Sequence, residues 1–557
     1  MTIRAADLLV ECLIAHHVKR VYCVPGESYL SVLDSLHDQS AVEVVTCRHE
    51  GGAGFMALGH ARLTGTPGVL MVSRGPGCMN AAIAIHSAQQ DACPLVVLVG
   101  QAERENLQRE AFQHIHYERM FSDMAKWVVE VEHAEQLADT LCTAFYLAQS
   151  GTPGPVIISL PEDMLEDHCP HTGVFPRHSQ PSTLSALDSD AIVQAISQAE
   201  RPLIIAGGLL KSDAGKQALL SFAERFSLPV ATSVRHADLI PNDHPLFAGH
   251  LVYGLPAALK ESVTRSDLIL AIGTRLGDVT SQSFHFPAAP KAAQTLIHIW
   301  PDSTVVSRYR QTDIAVAADP VASLHTLNQA TAPAVPATRQ DWIASLHRTT
   351  VELRDWAPVA DQADGVVFGN IMAHADALLP DDAIICLDAG NFGGWVQRQL
   401  RFSPTRQLIG PSSGAMGYGV PSAVACSLAQ PTRPVVCFVG DGGFMMTGTE
   451  LATAAQYGAT PIVIISDNAC YGTIRMHQEK HFPHRPSATA LHNPNFAQLA
   501  AACGAQTFTV QHSDEFAPAL HAALQSKQLC VIVVRTSLNY ISPNATIAAL
   551  QQSGSPA

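Results

Sequence analysis

The chain has 557 residues, too many for one hydrophobic core, so three or four domains are expected. Its 47% apolar and 15% charged residues suit a large, well-buried globular protein, and a net charge of −15 argues against nucleic acid or an anionic membrane surface as partner. Thirteen cysteines without any C-x-x-C spacing read as small hydrophobes of a reducing compartment, and no apolar run reaches the ~18 residues of a membrane span.

In chain order, MTIRAADLLVECLIAHH reads as an amphipathic helix with acidic residues rather than a signal peptide, so a cytoplasmic protein is expected. Residues 41–47 read as a strand, followed by Arg48-His49-Glu50-Gly51-Gly52 and a small-residue helix to about Gly65. A strand from Gly68 to Val72 leads into Gly75-Pro76-Gly77-Cys78-Met79-Asn80 and another helix. This first block, 1–170, closes with GTPGPVIISLPEDM, and the Pro/Ser-rich 171–188 reads as a linker. A second αβ block, 189–330, contains strands in RPLII, PVATSV, SDLILAIGTRLGD and TLIHIW. TAPAVPATRQ reads as a second linker.

The third block, 365–540, carries the most informative pattern. A strand from Ile384 to Leu387 precedes Asp388-Ala389-Gly390-Asn391-Phe392. Val435 to Val439 ends in Gly440-Asp441-Gly442-Gly443, and Ile462 to Ile465 ends in Ser466-Asp467-Asn468. Between them Thr447 and Glu450 have the spacing of a capping box that opens a helix, with Gly458 placed to close it. This is a βαβ unit whose parallel strands bring Asp441 and Asn468 side by side at the carboxyl edge of the sheet. One carboxylate and one amide oxygen form a hard half-site suited to Mg²⁺ at about 2.1 Å, with a diphosphate supplying further oxygens. The glycines admit close phosphate approach and offer N–H groups. The last dozen residues read as a loose tail. Each block is expected to be a mostly parallel α/β sheet flanked by helices.

Other motifs fail. Gly417-x-Gly419 lacks the third glycine of a dinucleotide fingerprint, and Gly215-Lys216 lacks the context of a P-loop. His477, His481 and His484 have an i, i+4, i+7 spacing, but Pro483 breaks the helix before the third, so a substrate-covering loop is preferred to a zinc site.

GDG followed by Asp467-Asn468 resembles the GDG…NN motif of thiamine diphosphate (ThDP) enzymes, with Asp467 in place of the first Asn. CRHEGGAGFMALGHARLTGTPGVLMVSRGPGCMNAA resembles the pyrimidine-binding domain of the acetolactate synthase and pyruvate oxidase group. The resemblance extends over the whole length. It implies the three-domain ThDP-enzyme fold: pyrimidine-binding, central Rossmann-like and diphosphate-binding. Glu50 would hold N1′ of the aminopyrimidine, and Phe112-Gln113 would reach the active site, Gln113 as a catalytic residue. Asp441, Asn468 and the backbone carbonyl of Cys470 would hold Mg²⁺. Pro76 and Asn80, Ala389 to Phe392, Gly414, Gly442 and Gly443, and Tyr471, Gly472 and Thr473 would hold ThDP. Met416, in Gly-Ala-Met-Gly-Tyr-Gly, would wedge the cofactor into its bent form. Ile474 and His477 would face substrate.

Enzymes of this kind decarboxylate a 2-keto acid on the cofactor and pass the product to a proton, an oxidant or a second carbonyl. The resemblance therefore implies an acetolactate synthase-like carboligase on pyruvate-like substrates. The alternative is a ThDP lyase or decarboxylase of the 2-hydroxyacyl-CoA lyase, benzaldehyde lyase or keto acid decarboxylase type. A silent ThDP-binding protein is disfavoured by Glu50 beside both metal ligands. Three departures bear on specificity. His477 replaces a Trp of the biosynthetic enzymes, and Glu162 replaces a Lys. Glu27, in VPGESYL, falls on a catalytic Asp of pyruvate decarboxylases, whose His pair is replaced by Phe112-Gln113-His114-Ile115-His116. FAD is left open: Arg275 in Gly273–Asp278 matches the family's segment, but the pattern after it differs. A homodimer or homotetramer is implied, and a regulatory subunit is left open.

Overall fold

The computed structural model of the protein describes residues 2–553. Three six-stranded sheets, each parallel throughout, follow one another along the chain. Parallel sheets need both faces covered, which explains the unbroken apolar runs such as Leu95–Gln101 and Cys530–Arg535.

In the first sheet the spatial order is Glu43–Thr46, Arg20–Cys23, Gly68–Val72, Leu95–Gln101, Pro155–Pro161, Trp127–Glu130. In the third it is Gln407–Ile409, Ile384–Leu387, Val435–Gly440, Ile462–Asp467, Cys530–Arg535, Gln506–Val510. Numbered by chain order, both run 2-1-3-4-6-5. The central sheet runs 3-2-1-4-5-6, from Phe247–His250 through Pro202–Ala206 to Ile314–Ala317. Each order reverses direction between its first strand and a later neighbour, and open α/β sheets bind ligands at the carboxyl ends flanking that reversal. In the third sheet those ends are Asp388 and Asp441. In the first they are the turns after Cys23 and Val72, which carry Glu27 and Arg74.

The first and third units share one apolar core. Helix Glu50–Thr64 lies against helix Gly419–Ala429, with Phe55 edge-on to Tyr418 at a 5.4 Å centroid separation. A β-carbon at Gly59 would stand 2.8 Å from the Ser422 Cα, so only glycine allows this approach.

Several sequence-based expectations are corrected. Thr2–Arg4 is a short strand antiparallel to His168–Pro170, and the helix starts at Ala5. The second linker ends early: helix Ala337–Arg354 begins inside it and packs on the central unit. Its buried Arg339 donates to the Phe226, Ile196 and Ala199 carbonyls, capping two other helices. Residues Ile547–Ser553 of the supposed tail form a helix against Gly472–His481, while 554–557 lie outside the described residues. All thirteen cysteines are free, and all but Cys503 are buried. Among the described residues no helix is long and apolar enough to cross a membrane.

Candidate active site

Strand Val435–Gly440 runs straight into helix Asp441–Thr447, so Asp441 sits in the first helical turn at the sheet edge. Parallel pairing of Gly440 with Ser466 aligns Asp441 with Asp467, next to Asn468. Asp441 Oδ1 accepts from the Gly442 N–H at 2.8 Å, and Oδ2 accepts from the Asn493 amide at 2.8 Å and the Cys470 N–H at 3.3 Å. Asn468 Oδ1 accepts from the same Cys470 N–H at 3.1 Å, so the two expected metal ligands converge on one point. The Asn493 amide also bonds Asp467 Oδ1 at 2.8 Å and holds the two carboxylates apart. Burial pushes the Asp441 carboxyl up, and the Asp467 charge adds to this against the bonds from Asn493 and Gly442. A divalent cation would reverse that penalty.

The strand end Ile384–Leu387 places Asp388 inside the protein rather than toward ligand. Its carboxylate accepts the Ala389 and Gly417 N–H groups at 2.6 and 3.0 Å and the Gly419 N–H at 2.9 Å. Thr447 Oγ1 donates to the Gly417 carbonyl at 2.7 Å. These bonds fix a loop in which Gly414 and Gly417 take φ of 71° and 83°, and the loop holds Met416 half-buried. Asn391 Oδ1 accepts from Thr473 Oγ1 at 3.0 Å, joining two strand-end loops.

These loops surround a cavity of about 1050 Å³. Its wall contains Ala389 to Phe392, Gly414, Met416, Asp441 to Gly443, Asn468, Cys470 to Ile474 and His477. Every site residue expected from the third block is there. Those expected from the first block are not: Glu27, Glu50, Pro76, Asn80, Phe112 and Gln113 lie outside it, around residues 74–80 at the carboxyl edge of the first sheet. There Glu50 opens its helix and accepts from the Asn80 amide at 2.9 Å, and Gly77 leaves room beside Glu50 Oε1. Gln113 has φ 62°, its carbonyl receives the Gly75 N–H at 3.0 Å, and Phe112 is 72% exposed.

Glu27 lies on this same edge. It pairs with the buried Arg74 at 2.9 Å, and Arg74 also meets Glu162 at 3.4 Å. Burial pushes the Glu162 carboxyl up, partly offset by Arg74.

His477 and His481 stack on one helix, and no group of three metal-binding side chains forms among the described residues. In the central unit the Arg275 guanidinium donates to the Gln90 carbonyl, and His236 covers Gly208, leaving a β-carbon there only 2.5 Å from Nε2.

The amino-terminal, central and C-terminal binding-domain models of the thiamine pyrophosphate enzymes match residues 3–120, 189–327 and 388–534. The chain belongs to the thiamine pyrophosphate enzymes. Within this family it is acetolactate synthase-like in sequence. It is 31% identical over 537 residues to the acetolactate synthase large subunit of Parasynechococcus marenigrum, covering 94% of this chain and 86% of that one. It is 30% identical over 528 residues to the acetolactate synthase isozyme 2 large subunit of Escherichia coli, covering 94% and 93%. The solved ThDP-dependent 4-hydroxybenzoylformate decarboxylase of Rhodococcus jostii RHA1 shares the fold with a TM-score of 0.84, at 24% identity over 96% of this chain and 99% of that one.

Sequence reading missed four members of this arrangement. Asn493 lies in an irregular segment with no motif, and no pattern in the sequence singles out Arg74. Asp388 adjoins the ligand-facing loop in sequence, yet its side chain is buried. Glu450 has the spacing of a helix cap, yet its side chain accepts from Arg48 and His49, about 400 positions earlier.

Proposed function

We propose that this enzyme binds ThDP and Mg²⁺ between two copies of the chain, decarboxylates a 2-keto acid and joins the product to a second carbonyl. The observation that carries this is the presence of two complementary sets of residues at the carboxyl edges of like-ordered sheets. One holds Asp441 and Asn468, the other Glu50. The donor chemistry fits the cofactor: hard oxygens of Asp441, Asn468 and the Cys470 carbonyl for Mg²⁺, with Gly442 and Gly443 amides beside them. The Ala389–Phe392 loop and Tyr471 to Thr473 hold the diphosphate. When bound, ThDP supplies the carbon nucleophile and the electron sink for loss of CO₂.

The chain's own residues do the rest. Met416, on a loop fixed by the Asp388 and Thr447 bonds, would pack against the cofactor and help hold it. Glu50, oriented by Asn80, shares a proton at N1′ of the pyrimidine and so controls the basicity of its amino group. Phe112, Gln113, Ile474 and His477 enclose the substrate. Glu27, steadied by Arg74, delivers or withholds a proton after decarboxylation. Arg275, in the segment that matches the family's FAD site, donates to the Gln90 carbonyl, and no step uses a flavin.

The acetolactate synthase relatives favour ligation. A second reading, release as aldehyde, is favoured by the Glu27–Arg74 pair at the first sheet's reversal point. Incubating holoenzyme with a panel of 2-keto acids, while measuring CO₂ and identifying products by mass, tests both. Ligated hydroxyketone supports the first, and free aldehyde the second. No CO₂ from any 2-keto acid would refute the decarboxylation.

A further inference from the structure

Glu450 is fully buried, yet it caps no helix of its own. Its carboxylate receives the Arg48 N–H at 3.0 and 3.2 Å through its two oxygens, and the His49 N–H at 3.1 Å. Thr453 Oγ1 donates to Oε2 at 2.6 Å. The same stretch continues the grip: Gln456 accepts from the Arg48 guanidinium at 2.6 Å. Tyr457 Oη accepts the Thr46 N–H at 2.8 Å and donates to the Val44 carbonyl at 3.0 Å. Thus residues 44–49, the strand end and the turn immediately ahead of Glu50, are held by a segment of the third unit. A β-carbon on Gly52 would lie 2.4 Å from Glu450 Oε1, so the backbone of the Glu50 helix closes directly onto this carboxylate.

The Arg48 and His49 amides precede the first helical turn and have no intrahelical acceptor. A carboxylate at a helix amino terminus also suits the helix dipole. Glu450 therefore satisfies the orphan donors and fixes where the first turn begins. Glu50 occupies that turn, and its carboxylate accepts from the amide of the exposed Asn80.

We infer that Glu450 is a positioning residue: its carboxylate sets the turn from which Glu50 reaches the pyrimidine ring of the cofactor. The inference rests on the role proposed for Glu50. It adds that the segment opening with Asp441, at one half-site, ends with the residue that aims the other half-site of the same chain.

Glu450→Gln keeps the volume but turns an amide toward N–H donors. Three measurements on the full-length protein test it. Backbone amide exchange at residues 48 and 49, in cofactor-free enzyme, accelerates about 10-fold, the scale of one lost charge-assisted bond. Exchange of the ThDP C2 proton slows about 10-fold or more, while Mg²⁺–ThDP affinity by calorimetry stays within about 3-fold, because its anchors lie on the Asp441 side. Combined with Glu50→Gln, the loss in C2 exchange is no larger than for Glu50→Gln alone, as expected for residues acting through one another. Should Glu450→Gln fail to assemble, Thr453→Val frees one carboxylate oxygen and gives a smaller shift in the same direction.

Wild-type C2 exchange in both variants, beside a slow Glu50→Gln, overturns the positioning role alone. Wild-type C2 exchange in Glu50→Gln overturns the proposed function and this inference with it.

Discussion

At the scale of single residues, the geometry around Asp441 makes two linked predictions. Asp441→Ala leaves an amide and a carbonyl, too little charge to hold a divalent ion, so Mg²⁺-dependent ThDP retention is lost; unchanged affinity by calorimetry would refute the metal assignment. Asn493→Ala leaves the Asp441 and Asp467 carboxylates facing without the amide between them. Metal affinity should fall about 10- to 100-fold, the usual cost of losing a residue that orients a ligand. Asp388 gives a pH signature. Burial pushes its carboxyl up to about 6, although three amide bonds favour the charged form. The folded protein thus binds a proton that the unfolded chain releases near its ordinary value. The stabilisation is full below about pH 4 and is lost as pH rises through about 6. Wild type should gain about 1 kcal/mol over Asp388→Asn between pH 7 and pH 5, read as a widening Tm difference. A constant difference would place an ordinary carboxylate there. Asp441 and Asn468 were legible because strand ends and glycines locate them. Asn493 was not, because its place depends on how an irregular loop folds back.

Elements were legible where their burial was uniform. Gly68–Val72 and Ile384–Leu387 have the bounds their apolar runs imply, because buried parallel strands need no alternation. Reading failed where distant partners override local rules. Thr447 and Glu450 have capping-box spacing, but the Thr447 hydroxyl serves Gly417 and the Glu450 carboxylate serves Arg48 and His49. A helix from Asp441 to Thr447 runs straight from the strand, and the expected one follows separately, Leu451–Tyr457, closed by Gly458 at φ 67°. The turn after Cys23 carries a prediction of its own. Glu27 opens a short 3₁₀ turn and is 66% exposed in its side chain, so its pairing with Arg74 directs it without burying it. Glu27→Ala should alter the ratio of aldehyde to ligated product from pyruvate, with ThDP content unchanged. An unaltered ratio would reduce Glu27 to a surface partner of Arg74.

For the whole molecule, what decides is that the residues proposed for the two halves of the site lie on separate edges of one chain. Glu50 is absent from the cavity that contains Asp441 and Asn468. The edges carry exposed apolar side chains, Met79 and Ile83 on the helix after Gly75 and Met445 and Met446 on the helix after Asp441. Such patches seek cover, and a twofold pairing would cover both while bringing each Glu50 to the other chain's Asp441. That arrangement has a consequence no single-chain site can reproduce. Glu50→Gln leaves the diphosphate half intact, and Asp441→Ala leaves the pyrimidine half intact. Each variant alone should be nearly inactive. Dissociated, mixed and reassembled, half of the dimers are mixed, and each of these carries one site free of both substitutions. Recovery should approach about a quarter of wild-type decarboxylation, the limit for random pairing in a symmetric dimer. A mixture that stays as inactive as its components, with mixed dimers demonstrated by mass, would mean that each site is completed within its own chain.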